Sequence, residues 1–288
     1  MSMPASTYGD GNCPGMALPH DISSFDRGVV EGGLRPAERD WLIRQRRAWM
    51  TDSGCRSDDP DDLVDAHAVL IVPSWWAGFR DWPFGAGASP LAVSRRDVTD
   101  VARQCRENEC WLPLLVASVA WGWGKSGFGP TRLTWILDGN ARWEALPRAE
   151  TNQRLVGAVE ALDREGAVES YRHLLGDGQI PGLGPAFFTK FLYFADRAGG
   201  GRGGALILDA RLARQMRRFW RCRADESYAA DGRSPDWLWQ GPVWSPYRYH
   251  VYLAFMGRIA AELSESGERW TPELVELLLF RGGPVGAT

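Results

Sequence analysis

The chain has 288 residues, of which 44% are apolar and 24% charged, with a formal net charge of -3. That is enough to bury a sizeable core as one unit or two small subdomains. The balance excludes a generally basic nucleic-acid binder, and no apolar run approaches the ~20 residues needed to span a membrane.

The five cysteines (Cys13, Cys55, Cys105, Cys110, Cys222) are scattered, and no secretory pattern opens the chain, which fits a reduced cytoplasm. Cys105 and Cys110 lack the second close pair of Cys or His that a zinc site needs, so no metal is expected. Residues 1–35 begin rich in glycine, proline and serine and read as a disordered N-terminus. Residues 36–93 read as an N-terminal subdomain, with an amphipathic segment at 37–50, an acidic stretch at 58–65 and a short apolar run at 66–73 that suits a strand. Trp75, Trp76, Phe79, Trp82 and Phe84 then crowd a Gly/Pro-rich loop, and rings so dense belong in a core.

From Ser94 the pattern is helical. Segment 96–108 is followed by 112–121, which is apolar nearly all round and therefore central. Next comes the glycine-rich loop 122–130, GWGKSGFGP. Its Gly-Lys-Ser resembles the end of a nucleotide-binding P-loop, but Val119 stands where that motif needs glycine, and a helix precedes it instead of a strand. Helices at 131–137, 150–165 and 166–175 follow. Residues 227–246 are loop-like and hold Trp237, Trp239 and Trp244, and 247–265 form a long helix.

The stretch 180–211, IPGLGPAFFTKFLYFADRAGGGRGGALILDAR, orders the rest. Pro181 fixes one φ, while Gly182 and Gly184 permit positive φ or close backbone approach. Amides converging at the helix start that follows form an anion site. The helix 185–197 opens on proline and carries a broad apolar surface of Phe187, Phe188, Phe191, Leu192 and Phe194. Ala186 and Lys190 stack on its remaining face. Aromatic neighbours would desolvate that amine, and a desolvated lysine can act as a nucleophile. The apolar run 205–208 delivers Asp209 as the N-cap of another helix. Residues 181–223 hold nine Lys or Arg against two Asp. Such a run suits phosphate docking, and a solvated arginine-rich helix is the plainer alternative.

The Pro-Gly-Leu-Gly turn, Lys190, and an aspartate 19 residues beyond it resemble the helix-hairpin-helix DNA glycosylase superfamily, nearest its bacterial 8-oxoguanine DNA glycosylase-like branch, which includes anti-phage glycosylases. The resemblance implies a mainly α fold with two helical subdomains flanking a cleft and a small irregular N-terminal part. The glycosylase core would occupy 94–288 and the hairpin 166–197. It implies duplex DNA with a modified base as partner, and a monomer in the bacterial cytoplasm, associated with the nucleoid. No cofactor is implied, because the four close C-terminal cysteines of iron-sulfur relatives are absent.

On the same resemblance, Gly182, Leu183 and Gly184 grip the DNA backbone together with Arg211 and Arg214. Lys125 and Phe128 sit on the loop that enters the duplex, with Phe128 or Trp123 filling the gap left by an extruded nucleotide. Trp244, Tyr247 and His250 would line the base pocket, with core packing as the alternative for all three. Asp209 would assist excision. In the superfamily the Schiff-base lysine lies two residues after the second hairpin glycine, the place of Ala186 here, and Lys190 comes one helical turn later. Two mechanisms follow: attack by water, leaving an abasic site, or attack by Lys190, with strand cleavage. The excised base would be an oxidised guanine or a hypermodified cytosine of phage DNA. A non-catalytic helix-hairpin-helix module is the competing class, and it gains nothing from an acid among arginines. A metal-dependent hydrolase lacks its paired His and carboxylate spacings.

Overall fold

The computed structural model describes residues 17–224, 235–241 and 244–282. Cys13 and the first part of the expected disordered segment lie outside them. The described residues are mainly helical, as expected: α1 Ser24–Gly32, α2 Pro36–Ser53, α3 Pro60–Asp65, α4 Arg95–Asn108, α5 Leu112–Trp123, α6 Phe128–Asp138, α7 Arg148–Glu165, α8 Ala167–Leu175, α9 Pro185–Ala198, α10 Ala210–Arg223, α11 Pro246–Ser264 and α12 Pro272–Arg281. One ribbon interrupts them. Its strand β1, Ala68–Ile71, pairs antiparallel with β2, Leu91–Ser94, setting Ala68 opposite Ser94 and Ile71 opposite Leu91.

The helix starts are written locally. Pro36, Pro60, Pro185, Pro246 and Pro272 open their helices, where a missing N–H leaves no bond unmade. Ser23, Asp59, Ser94, Asp209, Ser245 and Thr271 accept first-turn amides as N-caps, each worth about 1 kcal/mol.

Three helices differ from expectation. Within the segment read as disordered, α1 is capped by Ser23 and buries Val29 and Val30. It is pinned through Asp26, which accepts from Trp220 Nε1 at 2.6 Å, Arg248 Nη1 at 2.7 Å and the Tyr247 hydroxyl at 2.7 Å. The acidic stretch contains α3. The third, α12, buries six consecutive residues, 274–279. A helix covered all round has no amphipathic period to read.

Helices α5 and α9 form the centre. The first packs against α4, α6, α9 and β1, and the second against α4, α5, α7 and α8. Helix α11 covers α8, and α12 sits among α2, α3, α10 and α11. Buried apolar side chains form one cluster from Ile22 to Leu279, so the core does not divide at residues 93 and 94. Helices α2 and α3 pack on α12. The aromatic loop divides: Trp76 is fully buried and stacks on Trp82 at 5.9 Å, whereas Trp75 is 42% exposed. Among the described residues, no helix is long and apolar enough to cross a membrane, and no group of three or more His, Cys, Asp or Glu is placed to hold a metal ion.

Candidate active site and nucleic-acid interface

The site is built on the chain between α9 and α10. Residues 204–208 belong to neither helix nor strand, and side chains take the place of a ladder. Asp196 accepts from the Gly203 and Ala205 amides, both at 2.8 Å. The Tyr249 hydroxyl donates to the Leu206 carbonyl at 2.8 Å and accepts from the Leu206 amide at 3.2 Å. Tyr252 donates to the Ile207 carbonyl at 2.7 Å. The Thr189 hydroxyl lies 3.2 Å from both the carbonyl oxygen and the amide nitrogen of Leu208. Buried backbone polar groups must be paired, and here the pairing fixes the path of the chain up to Asp209.

At the end of that path Asp209 adopts φ -129° and ψ 179°. Its Oδ1 accepts from the Arg211 amide at 2.9 Å and the Leu212 amide at 3.1 Å, and its Oδ2 accepts from Lys190 Nζ at 3.3 Å. Burial alone would raise the Asp209 pKa. The Lys190 ammonium and the two helix amides outweigh it and hold the carboxyl below its ordinary value.

Lys190 is 5% exposed and also donates to the Ala186 carbonyl at 2.8 Å. Its stem lies against Gly122 of α5, where a Cβ would meet Lys190 Cδ at 3.0 Å and Cε at 3.1 Å. Gly122 is itself exposed, so the pair lies just beneath an open stretch of surface.

Rings lead outward from the lysine. Phe187 has its ring centre 5.8 Å from Lys190 Nζ. Trp123 stacks on Phe187 at 5.6 Å and 22°. Phe128, at the start of α6 and 44% exposed, meets Trp123 edge-on at 5.5 Å and Trp135 at 5.3 Å. The glycine-rich loop is shorter than its composition suggests, because α5 runs on to Trp123 and α6 begins at Phe128. Lys125 is exposed in the turn between them.

The hairpin joins α8 to α9. Gly182 has φ +81°, and a Cβ there would meet the Trp143 ring at 2.8 Å. Arg132 of α6 clasps the same turn by donating to the Gly182 carbonyl at 2.7 Å. Gly184 differs: it is extended at φ -92°, and a Cβ there meets nothing within 4 Å. Leu183 is buried, so only its main chain reaches the turn surface. Pro185 has no amide proton, and the Phe187 and Phe188 amides both donate to the Gly184 carbonyl, at 2.9 and 3.1 Å, so Ala186 carries the first amide of α9, beside the open space at Gly184.

The remaining anticipated residues are dispersed. Trp244 is buried, and its carbonyl accepts from Tyr171 at 2.6 Å. Tyr247 is bound to Asp26 and to the Ser23 amide, and His250 Nε2 lies 2.7 Å from the Ala17 carbonyl. None of the three makes a described contact with Lys190 or Asp209. The α11 side chains that face the site are Tyr249 and Tyr252; Tyr247 and His250 lie in the same helix, and Trp244 precedes it. Arg214 is exposed on α10, whereas Arg211 lies over the Phe280 ring at 4.8 Å and reaches the Arg281 carbonyl at 3.3 Å. The basic run is partly spent inside the protein. Arg197 pairs with Asp65 at 2.8 Å and Arg223 with Glu38 at 2.6 Å.

A buried polar cluster behind the site carries no sequence signal. Arg95 pairs with Glu276 through 2.9 and 3.3 Å contacts, donates to the Tyr193 hydroxyl at 2.9 Å, and reaches His67 Nδ1 at 3.3 Å. Burial raises Glu276 above its ordinary value although Arg95 opposes this, and the Asp209 carboxylate adds to the rise. Only periodicity in α9, which sets Tyr193 three positions after Lys190, could have hinted at it.

The family model described as "Putative 8-oxoguanine DNA glycosylase OGG-like protein" matches residues 62–280. The chain belongs to this family. Membership makes it a DNA glycosylase in general class, with DNA as its substrate, and the match includes the hairpin, Lys190 and Asp209. No curated protein and no solved structure matches the chain.

Proposed function

We propose that the protein extrudes a modified base from duplex DNA and cleaves its N-glycosidic bond, leaving an abasic site. A base inside a duplex is out of reach, so the nucleotide must rotate out at a cost of a few kcal/mol in lost stacking. The hairpin amides beside Gly184 and the exposed Arg214 offset part of that cost by engaging phosphates, and Phe128 fills the gap. Bond cleavage develops positive charge on the sugar, and the Asp209 carboxylate stabilises it or orients the attacking water.

The observation that carries this reading is the Lys190–Asp209 pair. Asp209 accepts from Lys190 on Oδ2 while Oδ1 caps α10, beneath the open surface at Gly122. Incubation with duplexes carrying 8-oxoguanine, and with phage DNA carrying hypermodified cytosines, followed by assay of released base, tests it. Asp209→Asn should bind DNA within a few-fold of the wild type and excise roughly 10²-fold more slowly or worse. Loss of binding without a specific loss of excision would reduce Asp209 to a cap.

A second reading is favoured by one contact. Lys190 Nζ lies 3.3 Å from Asp209, so the two groups can serve one sugar. After giving up a proton, the amine would attack the sugar carbon as the base departs with the bonding electrons; the sugar ring then opens, its oxygen leaving that carbon and taking up the proton the nitrogen releases, and the resulting Schiff base would permit strand cleavage.

A further inference from the structure

The exposed apolar surface is concentrated in one place. Leu70, Trp75, Leu91, Phe128 and Trp237 are the exposed large apolar side chains of the described residues. Four of them belong to the β1–β2 ribbon, the connection between its two strands, or the start of α6. The ribbon and the α5–α6 turn touch: a Cβ at Gly124 would meet Val69 Cγ1 at 2.8 Å and the Leu70 carbonyl at 3.5 Å. Exposed apolar side chains gathered this way mark an interaction surface.

Two of the four are aromatic, and both are mounted on one buried ring. Trp75 immediately precedes Trp76, which is fully buried and stacked on Trp82. Phe128 immediately precedes Gly129, where a Cβ would meet the Trp76 ring at 2.9 Å and Trp123 Cβ at 2.8 Å. Between them lies Gly127, where a Cβ would come 4.0 Å from Trp75 Cζ3. Trp75 and Phe128 are therefore rigidly based rings on either side of a glycine gap. A buried anchor limits the entropy lost when an exposed ring is fixed in a complex.

Charge selects the occupant. No Asp or Glu occurs at 66–80 or at 110–137, the two segments that build this surface, while Arg80 and Lys125 are exposed on it. Asp65, Asp81, Glu109 and Asp138 bound these segments; Asp65 is paired with Arg197 and Asp81 with Arg148. A surface of rings and cations, on segments that carry no carboxylate of their own, matches a polyanion with stacked bases.

Resting on the base-extrusion reading, we propose that Trp75 is a second aromatic wedge, which enters the duplex against the strand opposite the extruded nucleotide. The order of the rings gives the strand. The nucleotide rotates toward Lys190, Phe128 follows along the Phe187–Trp123 stack, and Trp75 lies beyond Gly127, nearest the partner left behind.

The test uses the full chain and a duplex with a single tetrahydrofuran abasic site, so no excised base need be known. 2-Aminopurine is placed either opposite the site or next to it on the same strand. The wild type should alter emission at both positions. Trp75→Ala should lose the opposite-strand change, keep the same-strand change, and lower the preference for the abasic over the intact duplex by about tenfold, the scale of one base–aromatic stack. Trp75→Phe should restore the opposite-strand signal. Because Trp75 is exposed, the melting temperature of each variant should match the wild type. A wild type that prefers the abasic duplex beside a Trp75→Ala variant that matches it in preference and in both signals overturns the proposal and leaves the glycosylase reading standing. A wild type with no such preference overturns the extrusion reading, and this proposal with it. A substitution that changes only self-association in sedimentation would assign the patch to a second copy of the chain and also overturn the proposal.

Discussion

Lys190 and Asp209 stand 19 residues apart on successive helices, and their charged ends meet at 3.3 Å. Each is held by a second contact: the lysine by the Ala186 carbonyl, the aspartate by the first amides of α10. The lysine lies one turn beyond Ala186, and its amine reaches Asp209 from there. Lys190→Gln separates the two mechanisms. An enzyme working through water should never form a borohydride-trapped adduct and should keep releasing base after the substitution. A trapped adduct in the wild type that disappears with Lys190→Gln would assign the nucleophile to the amine.

The two hairpin glycines should behave differently. Gly182→Ala places a Cβ at φ +81° against Trp143 and should destabilise the protein by about 1–3 kcal/mol, since both backbone strain and a clash oppose it. Gly184→Ala has room and an ordinary φ, so thermal stability should hold within about 0.5 kcal/mol. Its DNA affinity should nonetheless fall, because the methyl enters the space where a phosphate would approach the amides. Equal melting shifts for the two variants, or unaltered binding by Gly184→Ala, would contradict this account.

Arg214 is exposed on α10 and is the better test of phosphate docking, because Arg211 also packs on Phe280. Arg214→Ala should weaken binding across sequences and reduce the slope of log affinity against log salt by about 0.9 for one lost phosphate contact. Titrations between 50 and 200 mM salt measure it, at concentrations of the order where such slopes are usually read. An unchanged slope would remove Arg214 from the interface.

His67 gives a pH dependence of known sign. Burial, with help from the Arg95 and Arg281 guanidinium groups, pushes its pKa from 6.5 down to about 2. The unfolded chain takes up this proton as pH falls through 6.5, and the folded protein does not. Stability should therefore fall below pH 6.5 by about 1.4 kcal/mol per pH unit from this residue alone. His67→Asn keeps an acceptor for Arg95 and removes the titration, so its urea midpoints at pH 7, 6 and 5 should decline less steeply than those of the wild type. Parallel declines would show that His67 protonates without cost.

Much of this was legible in the sequence because it is local. Proline at the first helical position, a Ser, Thr or Asp cap, and the glycines around Leu183 act within a few residues, and they set the starts of α9, α10 and α11 and the turn between α8 and α9. The spacing of Lys190 to Asp209 could likewise be read along the chain, and with it the resemblance that the family match bears out. Tertiary structure decided what depends on partners far away in sequence. Trp244 precedes α11, Tyr247 and His250 share that helix with Tyr249 and Tyr252, and composition could not tell which of these four faces residues 206 and 207. A turn of the helix is 3.6 residues, so that choice rests on where α8 and α1 press against α11. Trp75 and Trp76 are chemically identical neighbours, yet one is exposed and the other buried, its ring packed where Gly129 of a distant helix has no side chain. The Arg95–Glu276 pair spans 181 residues. Neither side chain is marked by its own surroundings in the sequence, and burial without water is what makes each require the other.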